Sequence, residues 1–250
     1  MKVLNNKNLE LYKSQIALQG FGLEGQYKLL KSKILIIGVG GLGSPAIMYL
    51  AAAGIGTIGI ADNDTVEYSN IQRQIIHSTF DINKLKIKSA KDKIKKINPN
   101  IKVNTYKKRI TSKNITKIIQ NYDFVIDCTD NLPSKFLIND ACVYSEKPFS
   151  HGGVSGFEGQ TITYTPDNAC YRCIFQSPPE EENTSSENAI LGPVAGVIGC
   201  IQATEAIKFI LNKKELLTNQ LLVFDSINMS CRKISIKRNI KCSVCKTVIF

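Results

Sequence analysis

No stretch of the chain strings together the roughly 18 apolar residues that a membrane-crossing helix requires. The opening residues, MKVLNNKNLELYKSQ, lack the apolar segment of a secretory signal. Together these absences predict a cytoplasmic protein with no membrane partner. Histidine is nearly missing. His77 and His151 are the only two, and neither has a cysteine or serine partner in motif spacing, so both read as polar structural residues. Acidic side chains are scarce beside basic ones, 21 against 32, which leaves a net charge of +11. The surplus lies in phrases such as KLKIKSAKDKIKKINPNIKVN, with no aromatic-interleaved basic strand and no recognition-helix motif beside it. It reads as a solvated helix face and predicts no nucleic-acid partner, although such a surface also steers ATP or an acidic protein. Internal repeats are absent. At 250 residues and 43% hydrophobic the chain has enough core for one large α/β domain.

What the sequence does hold is organised around residues 33–73, KILIIGVGGLGSPAIMYLAAAGIGTIGIADNDTVEYSNIQR. Ile34 to Ile37 read as a buried strand. The glycines Gly38, Gly40, Gly41 and Gly43 follow, and then a helix with Ser44 as N-cap, Pro45 at its first position and Gly54 closing it. Strand, glycine loop and helix make a nucleotide-binding turn, because backbone N–H groups at the helix start face phosphate oxygens. A second strand from Ile58 to Ala61 ends at Asp62, about 20 residues on, where a carboxylate accepts hydrogen bonds from a ribose. The glycine pattern by itself says nucleotide, most often NAD or FAD. Asp64 and the cluster Ser69, Asn70, Gln72, Arg73 and Gln74 favour a triphosphate, which needs cations beyond the ribose.

The remaining chain continues the βα alternation. A lysine-rich helix over 80–97 carries Lys86 near its start, within reach of the phosphates. A strand over 101–108, a helix over 111–120 and a strand at 124–126 follow, so the sheet is expected to be mainly parallel. Asp130 and Asn131 come just after that last strand, at the end where ligands bind in open parallel sheets. A carboxylate beside a triphosphate points to Mg²⁺, and a turn Asp-Asn pair ahead of a helix is the competing reading. Residues 147–166 suggest two strands joined by a loop, 193–212 an apolar helix, and 220–225 with 231–237 two final strands. Four of the eight cysteines form two CxxC pairs, Cys170 with Cys173 and Cys242 with Cys245. Such pairs read as a closed, structural Zn²⁺ site before they read as redox centres or disulfides. Cys128, Cys142, Cys200 and Cys231 read as core or surface thiols.

With these phrases in view, GVGGLGSP, ADNDTVEYSNIQRQ, DCTDN, FEGQ, CYRC, GPVAGVIGCIQATEAIK and CSVC, nearly the whole chain resembles the ThiF/MoeB/HesA family, bacterial relatives of ubiquitin-activating enzymes. The resemblance implies a Rossmann-like core with an eight-stranded mixed sheet, a helical arm over 1–30, a nucleotide-binding half over 31–145 and a carrier-binding and zinc half over 146–250. It implies a homodimer that spends Mg²⁺-ATP to adenylate the C-terminal glycine of a small ubiquitin-like sulfur carrier ending in Gly-Gly, for molybdopterin or thiamine-type sulfur transfer. By the same resemblance Gly41 and its neighbours face the phosphates and Asp62 holds the ribose. Asn70, Arg73 and Lys86 contact the triphosphate, and Asp130 is the Mg²⁺-linked aspartate.

Two departures stand out. Ser14, in Lys13-Ser14-Gln15-Ile16, occupies the place of an arginine that reaches a partner subunit's site. The loop from Gln176 to Ala189 holds Thr184, Ser185 and Ser186 but no cysteine. That loop predicts an enzyme that stops at the acyl-adenylate and leaves capture to a separate sulfurtransferase. An NAD(P) oxidoreductase and a non-catalytic nucleotide scaffold are the readings from other classes.

Overall fold

The computed structural model describes residues 4–176 and 189–246. Two helices, α1 (Asn6–Ile16) and α2 (Gly22–Lys31), precede the sheet. Asn5 caps α1 by accepting the Asn8 amide at 2.9 Å. Gln15 and Gln26 both donate to the Ala53 carbonyl, at 2.9 and 3.1 Å, which ties the arm to the first crossover helix. The nucleotide half then alternates through β1 (Lys33–Ile37), α3 (Gly43–Ala53), β2 (Thr57–Ala61), α4 (Lys86–Ile97), β3 (Lys102–Tyr106), α5 (Ile115–Ile119), β4 (Phe124–Asp127), α6 (Leu132–Tyr144) and β5 (Phe149–Ser155). After it come β6 (Glu158–Tyr164), α7 (Tyr171–Ile174), α8 (Gly192–Ile210), β7 (Gln220–Asp225) and β8 (Ser230–Ser235).

The eight strands form one sheet in the order β3-β2-β1-β4-β5-β6-β7-β8. Every neighbouring pair from β3 to β5 is parallel, and the pairs from β5 to β8 are antiparallel. Successive side chains of a strand point to opposite faces, so Ile34 and Ile36 enter a core with α3, α4 and α8, while Leu35 and Ile37 enter another with α5 and α6. Burial on both faces is why the central strands read as continuous apolar runs. The order of strand addition reverses between the parallel neighbours β1 and β4, since β2 and β3 are laid down on one side of β1 and β4 and β5 on the other. That switch point opens a crevice at the strands' carboxyl ends.

Three sequence expectations shift. Helix α3 starts at Gly43, ahead of the expected Ser44 cap. Leu42 already has helical angles, and Ser44 turns its hydroxyl back to the Gly40 carbonyl at 2.7 Å. The helix expected from residue 80 starts at Lys86. Asp81 is engaged with the Ser78 amide at 2.9 Å and with Lys84 and Lys93 at 3.1 and 2.8 Å, and Asn83 is left-handed at φ 67°. The helix expected over 111–120 is only Ile115–Ile119, because the Asn114 side chain accepts the Thr111 amide and holds a turn there.

Among the described residues α8 alone has the length and apolarity of a membrane span. Here it is a core helix. Its buried Gln202 donates to the Asp127 and Ser150 carbonyls at 2.8 and 3.2 Å, and Glu205 accepts the Thr163 hydroxyl and the Leu217 amide, each at 2.7 Å.

Candidate active site

A cavity of about 630 Å³ occupies the switch-point crevice, within the range of small-molecule and cofactor sites. Its floor begins at Gly38, whose φ of 96° favours glycine and whose added Cβ would stand 2.6 Å from the Cys128 carbonyl oxygen. Gly40 and Gly41 line the cavity. Gly43 lies behind them, packed so that a Cβ would meet the Gly38 carbonyl at 2.1 Å.

Asp62 lines the cavity beside this loop. One of its oxygens accepts the Val39 amide and the other the Asp64 amide, both at 2.8 Å, so the acid and the phosphate loop are fixed to one another. Burial is the largest influence on its carboxyl and raises it above its ordinary value, against those amides and Lys86.

The cationic wall follows. Lys86, buried at the first turn of α4, pairs with Asp64 at 3.1 Å. Arg73 donates to the Ser69 carbonyl at 3.1 Å and lines the cavity beside Gln74, whose Oε1 is buried without a partner among the described residues. Across the crevice stand Asp130 and Asn131. The Asp130 carboxylate is exposed to it, with Asn131 Nδ2 at 3.4 Å, while Asn131 Oδ1 caps α6 through the Ser134 amide at 3.0 Å. An exposed carboxylate facing cationic residues fits a divalent cation among phosphates.

The structure thus brings Gly38, Gly40, Gly41, Asp62, Asp64, Arg73, Gln74, Lys86, Asp130 and Asn131 to one cavity. Ser69, Asn70 and Gln72 fall outside its lining. Asn70 is buried and accepts the Glu67 amide at 3.3 Å as part of a reciprocal cap on a short helical turn. Sequence reasoning passed over Lys108 and Arg109 after β3, Lys135 on α6, and Gln160 on β6. It also assigned no ligand-facing role to His151, which lines the cavity. His151 lies within β5 and reaches the crevice only through its register with Asp127 of β4, so the strand-end rule that selected Asp130 gave no signal for it.

The two histidines are held neutral. Burial drives the His77 pKa down to about 4, against its contact with the Val39 carbonyl and with Lys86 adding to the fall. Burial and then Lys135 take His151 to about 4, against Asp127. Burial works to raise Asp127, but Lys135 and the His151 hydrogen bond outweigh it and leave it at about 2. Between the ordinary histidine value of about 6.5 and about 4 the unfolded chain therefore binds two protons that the folded chain refuses. Stability should fall as pH drops through that window, by roughly 3 kcal/mol per histidine. The Asp127 contribution is lost only lower, between about 4 and 2. Urea unfolding midpoints from pH 7 to pH 4 check this. A flat profile would remove the buried neutral pair from the account.

The four cysteines meet within the core that Leu35 and Ile37 enter. Their Sγ atoms all lie within 4.8 Å of one another. Cys170 to Cys173 is 4.0 Å, Cys170 to Cys242 is 3.7 Å and Cys173 to Cys245 is 3.3 Å. Tetrahedral Zn–S bonds of about 2.3 Å require sulfur separations of about 3.8 Å, so the donor set fits zinc, while the spacings are too long for disulfides. The Asn239 amide donates to Cys173 Sγ at 3.4 Å and the Cys245 amide to Cys242 Sγ at 3.5 Å. The hydrogen bond between Cys170 and Cys173 holds the Cys173 thiol below its ordinary value and raises Cys170, while burial raises Cys245. Cys128 and Cys142 are buried, Cys200 is half-buried and Cys231 exposed. The serine- and threonine-bearing loop falls at residues 177–188, outside the described residues.

A doubly wound sheet with a glycine loop, a strand-end acid and cationic side chains lining the crevice at its switch point is the architecture of a nucleotide-binding α/β fold. The ThiF family pattern matches residues 12–244, and the chain belongs to that family. It is 38% identical over 244 residues to the SAMP-activating enzyme E1 of Haloferax volcanii, covering 97% of this chain and 90% of that one. It is 44% identical over 238 residues to the adenylyltransferase and sulfurtransferase MOCS3 of Arabidopsis thaliana, covering 94% of this chain but only 51% of that protein. Among solved structures, E. coli MccB with MccA-N7isoASN superposes with a TM-score of 0.87 at 26% identity, over 97% of this chain and 76% of MccB. MccB with ATP gives 0.81 at 28% identity, over 88% and 68%. The chain is an E1-like adenylyltransferase of the ThiF family.

Proposed function

We propose that the chain uses Mg²⁺-ATP to adenylate the C-terminal glycine carboxylate of a small ubiquitin-like sulfur carrier ending in Gly-Gly, with release of pyrophosphate. The observation that carries this is the single crevice in which the phosphate loop, Asp62, Arg73, Lys86 and Asp130 converge. The names of the relatives, a SAMP-activating enzyme and MOCS3, support a carrier protein as the acceptor.

The attacking carboxylate is ionised at neutral pH, so no general base is required and the task is positioning and charge stabilisation. Gly40 and Gly41 leave the backbone open to phosphate oxygens, and Asp62 fixes the ribose. Arg73 and Lys86, which line the same cavity, would offset the charge of the leaving pyrophosphate. Asp130 would hold the Mg²⁺, which neutralises charge on the phosphates when bound. A homodimer, a sulfurtransferase as sulfur donor and structural zinc belong to the same reading.

Lys13 and Ser14 are both exposed on α1. Their place in the arm favours a second reading, a nucleotide-binding scaffold, because lysine offers a point charge without the arginine fork. ATP–pyrophosphate exchange against carriers ending in Gly-Gly separates the two. The enzyme reading expects carrier-dependent exchange, and Arg73→Ala should cost about 2–4 kcal/mol of transition-state stabilisation. Nucleotide binding with no exchange for any such carrier would leave the scaffold.

A further inference from the structure

The crevice continues past the nucleotide residues to a buried acceptor with nothing to accept. His151 is 1% exposed, and its Nδ1 stands 2.8 Å from Asp127 Oδ2. A carboxylate only accepts, so Nδ1 carries the proton and Nε2 presents a lone pair. That Nε2 has no hydrogen-bond partner among the described residues, and the residue lines the crevice. The charges facing the ring are Asp127 and Lys135, and the ring of Tyr171 packs on it at 4.2 Å. Lys135 is occupied by the Gly152 carbonyl at 2.6 Å and by Thr129, so it does not serve Nε2. A buried acceptor left unmatched is costly, which implies a donor when the site is filled.

The space beside Nε2 is open because residue 153 is glycine. A Cβ there would stand 3.9 Å from His151 Nε2 and 3.6 Å from Gln160 Nε2, on the neighbouring strand in register. Strand order decides which half of a substrate reaches this gap. The phosphate loop follows β1 and Asp62 follows β2, whereas His151 and Gln160 lie on β5 and β6, beyond β4 and Asp130. A group arriving here belongs to the acyl half. A glycine tail brings amide N–H donors and no side chains to fill the gap.

We propose that His151 Nε2 accepts the amide N–H of the acceptor's terminal glycine, and that Gly153 keeps the approach to it clear. His151 is then a substrate-positioning residue, fixed in its tautomer by Asp127, that places the carboxylate for attack and selects an unsubstituted peptide tail. This rests on the adenylation reading above.

The test uses the full chain and three probes in isothermal titration calorimetry: sulfamoyladenosine, its glycylglycyl conjugate, and the conjugate whose terminal glycine nitrogen is methylated. The wild type is expected to bind the glycylglycyl conjugate about tenfold more tightly than the methylated one, the worth of one net hydrogen bond. His151→Ala should erase that difference while leaving sulfamoyladenosine affinity unchanged, and His151→Gln, which keeps an acceptor, should restore part of it. Gly153→Val, at a site with room for a side chain, should weaken both conjugates and spare sulfamoyladenosine, so the idea stays testable if removing His151 unfolds the protein. An equal methyl penalty in wild type and His151→Ala, or unchanged conjugate binding in Gly153→Val, would overturn the assignment. Wild-type protein that binds the glycylglycyl conjugate no better than sulfamoyladenosine would instead defeat the adenylation reading beneath it.

Discussion

Asp130→Asn is expected to cut carrier-dependent ATP–pyrophosphate exchange by about a hundredfold to a thousandfold, with the thermal midpoint unchanged. The expectation follows from what the carboxylate does in the fold, which is very little. Asp130 sits just past β4, open to the crevice, with Asn131 Nδ2 at 3.4 Å. The cap of α6 is made by Asn131, and the strand-end charge that is buried belongs to Asp127. Converting the exposed acid to its amide removes a full negative charge from the proposed cation ligand while keeping the shape. Exchange within a few fold of wild type, in a variant that unfolds normally, would mean that the cation is held elsewhere.

The second large effect concerns the cysteine cluster. One zinc ion per chain is expected from metal analysis of protein purified without added zinc. Cys242→Ser should lose the ion and several kcal/mol of stability, since structural zinc binding is coupled to folding at about 10 kcal/mol or more in small domains. Whole domains hold only about 5–15 kcal/mol in total, so even part of that loss would show clearly. The first region to loosen should be the segment beyond β8. Its Arg238 donates from Nε to the Cys245 carbonyl at 2.9 Å, and its Asn239 amide points at Cys173. Hydrogen exchange resolved by segment reads this directly. Metal-free protein with four reactive thiols, and protection beyond β8 equal to that of the zinc-loaded form, would end the structural-metal assignment.

How much of this could be read from the chain depends on how locally each feature is encoded. The strand, glycine loop and helix after Lys33 are contiguous, so their spacing is nearly their geometry, and only the first turn of α3 was misplaced. The cysteine pairs were legible although far apart, because each pair carries its own ligand spacing. Helix α4 was overextended because periodicity does not reveal that Asp81 is held by Ser78, Lys84 and Lys93. His151 was the harder case. Its partner is 24 residues away, and they meet only through the register of β4 and β5, a relation with no local code. Asn70 marks the opposite limit: its reciprocal cap with Glu67 is encoded within four consecutive residues.

The cysteine cluster also sets an order of events during synthesis. Cys170 and Cys242 are separated by 72 residues, as are Cys173 and Cys245. When the first pair has been made it offers two thiolates and no complete site. By then every strand from β1 to β6 has been made, and with them the glycine loop, Asp62, Asp130 and His151. Closing so long a loop is entropically unfavourable and rewards the chain only at the end. The crevice-lining residues from the glycine loop to Gln160 are therefore synthesised before the four-cysteine site can be completed, and a metal bound there would act afterwards as a latch on the finished chain.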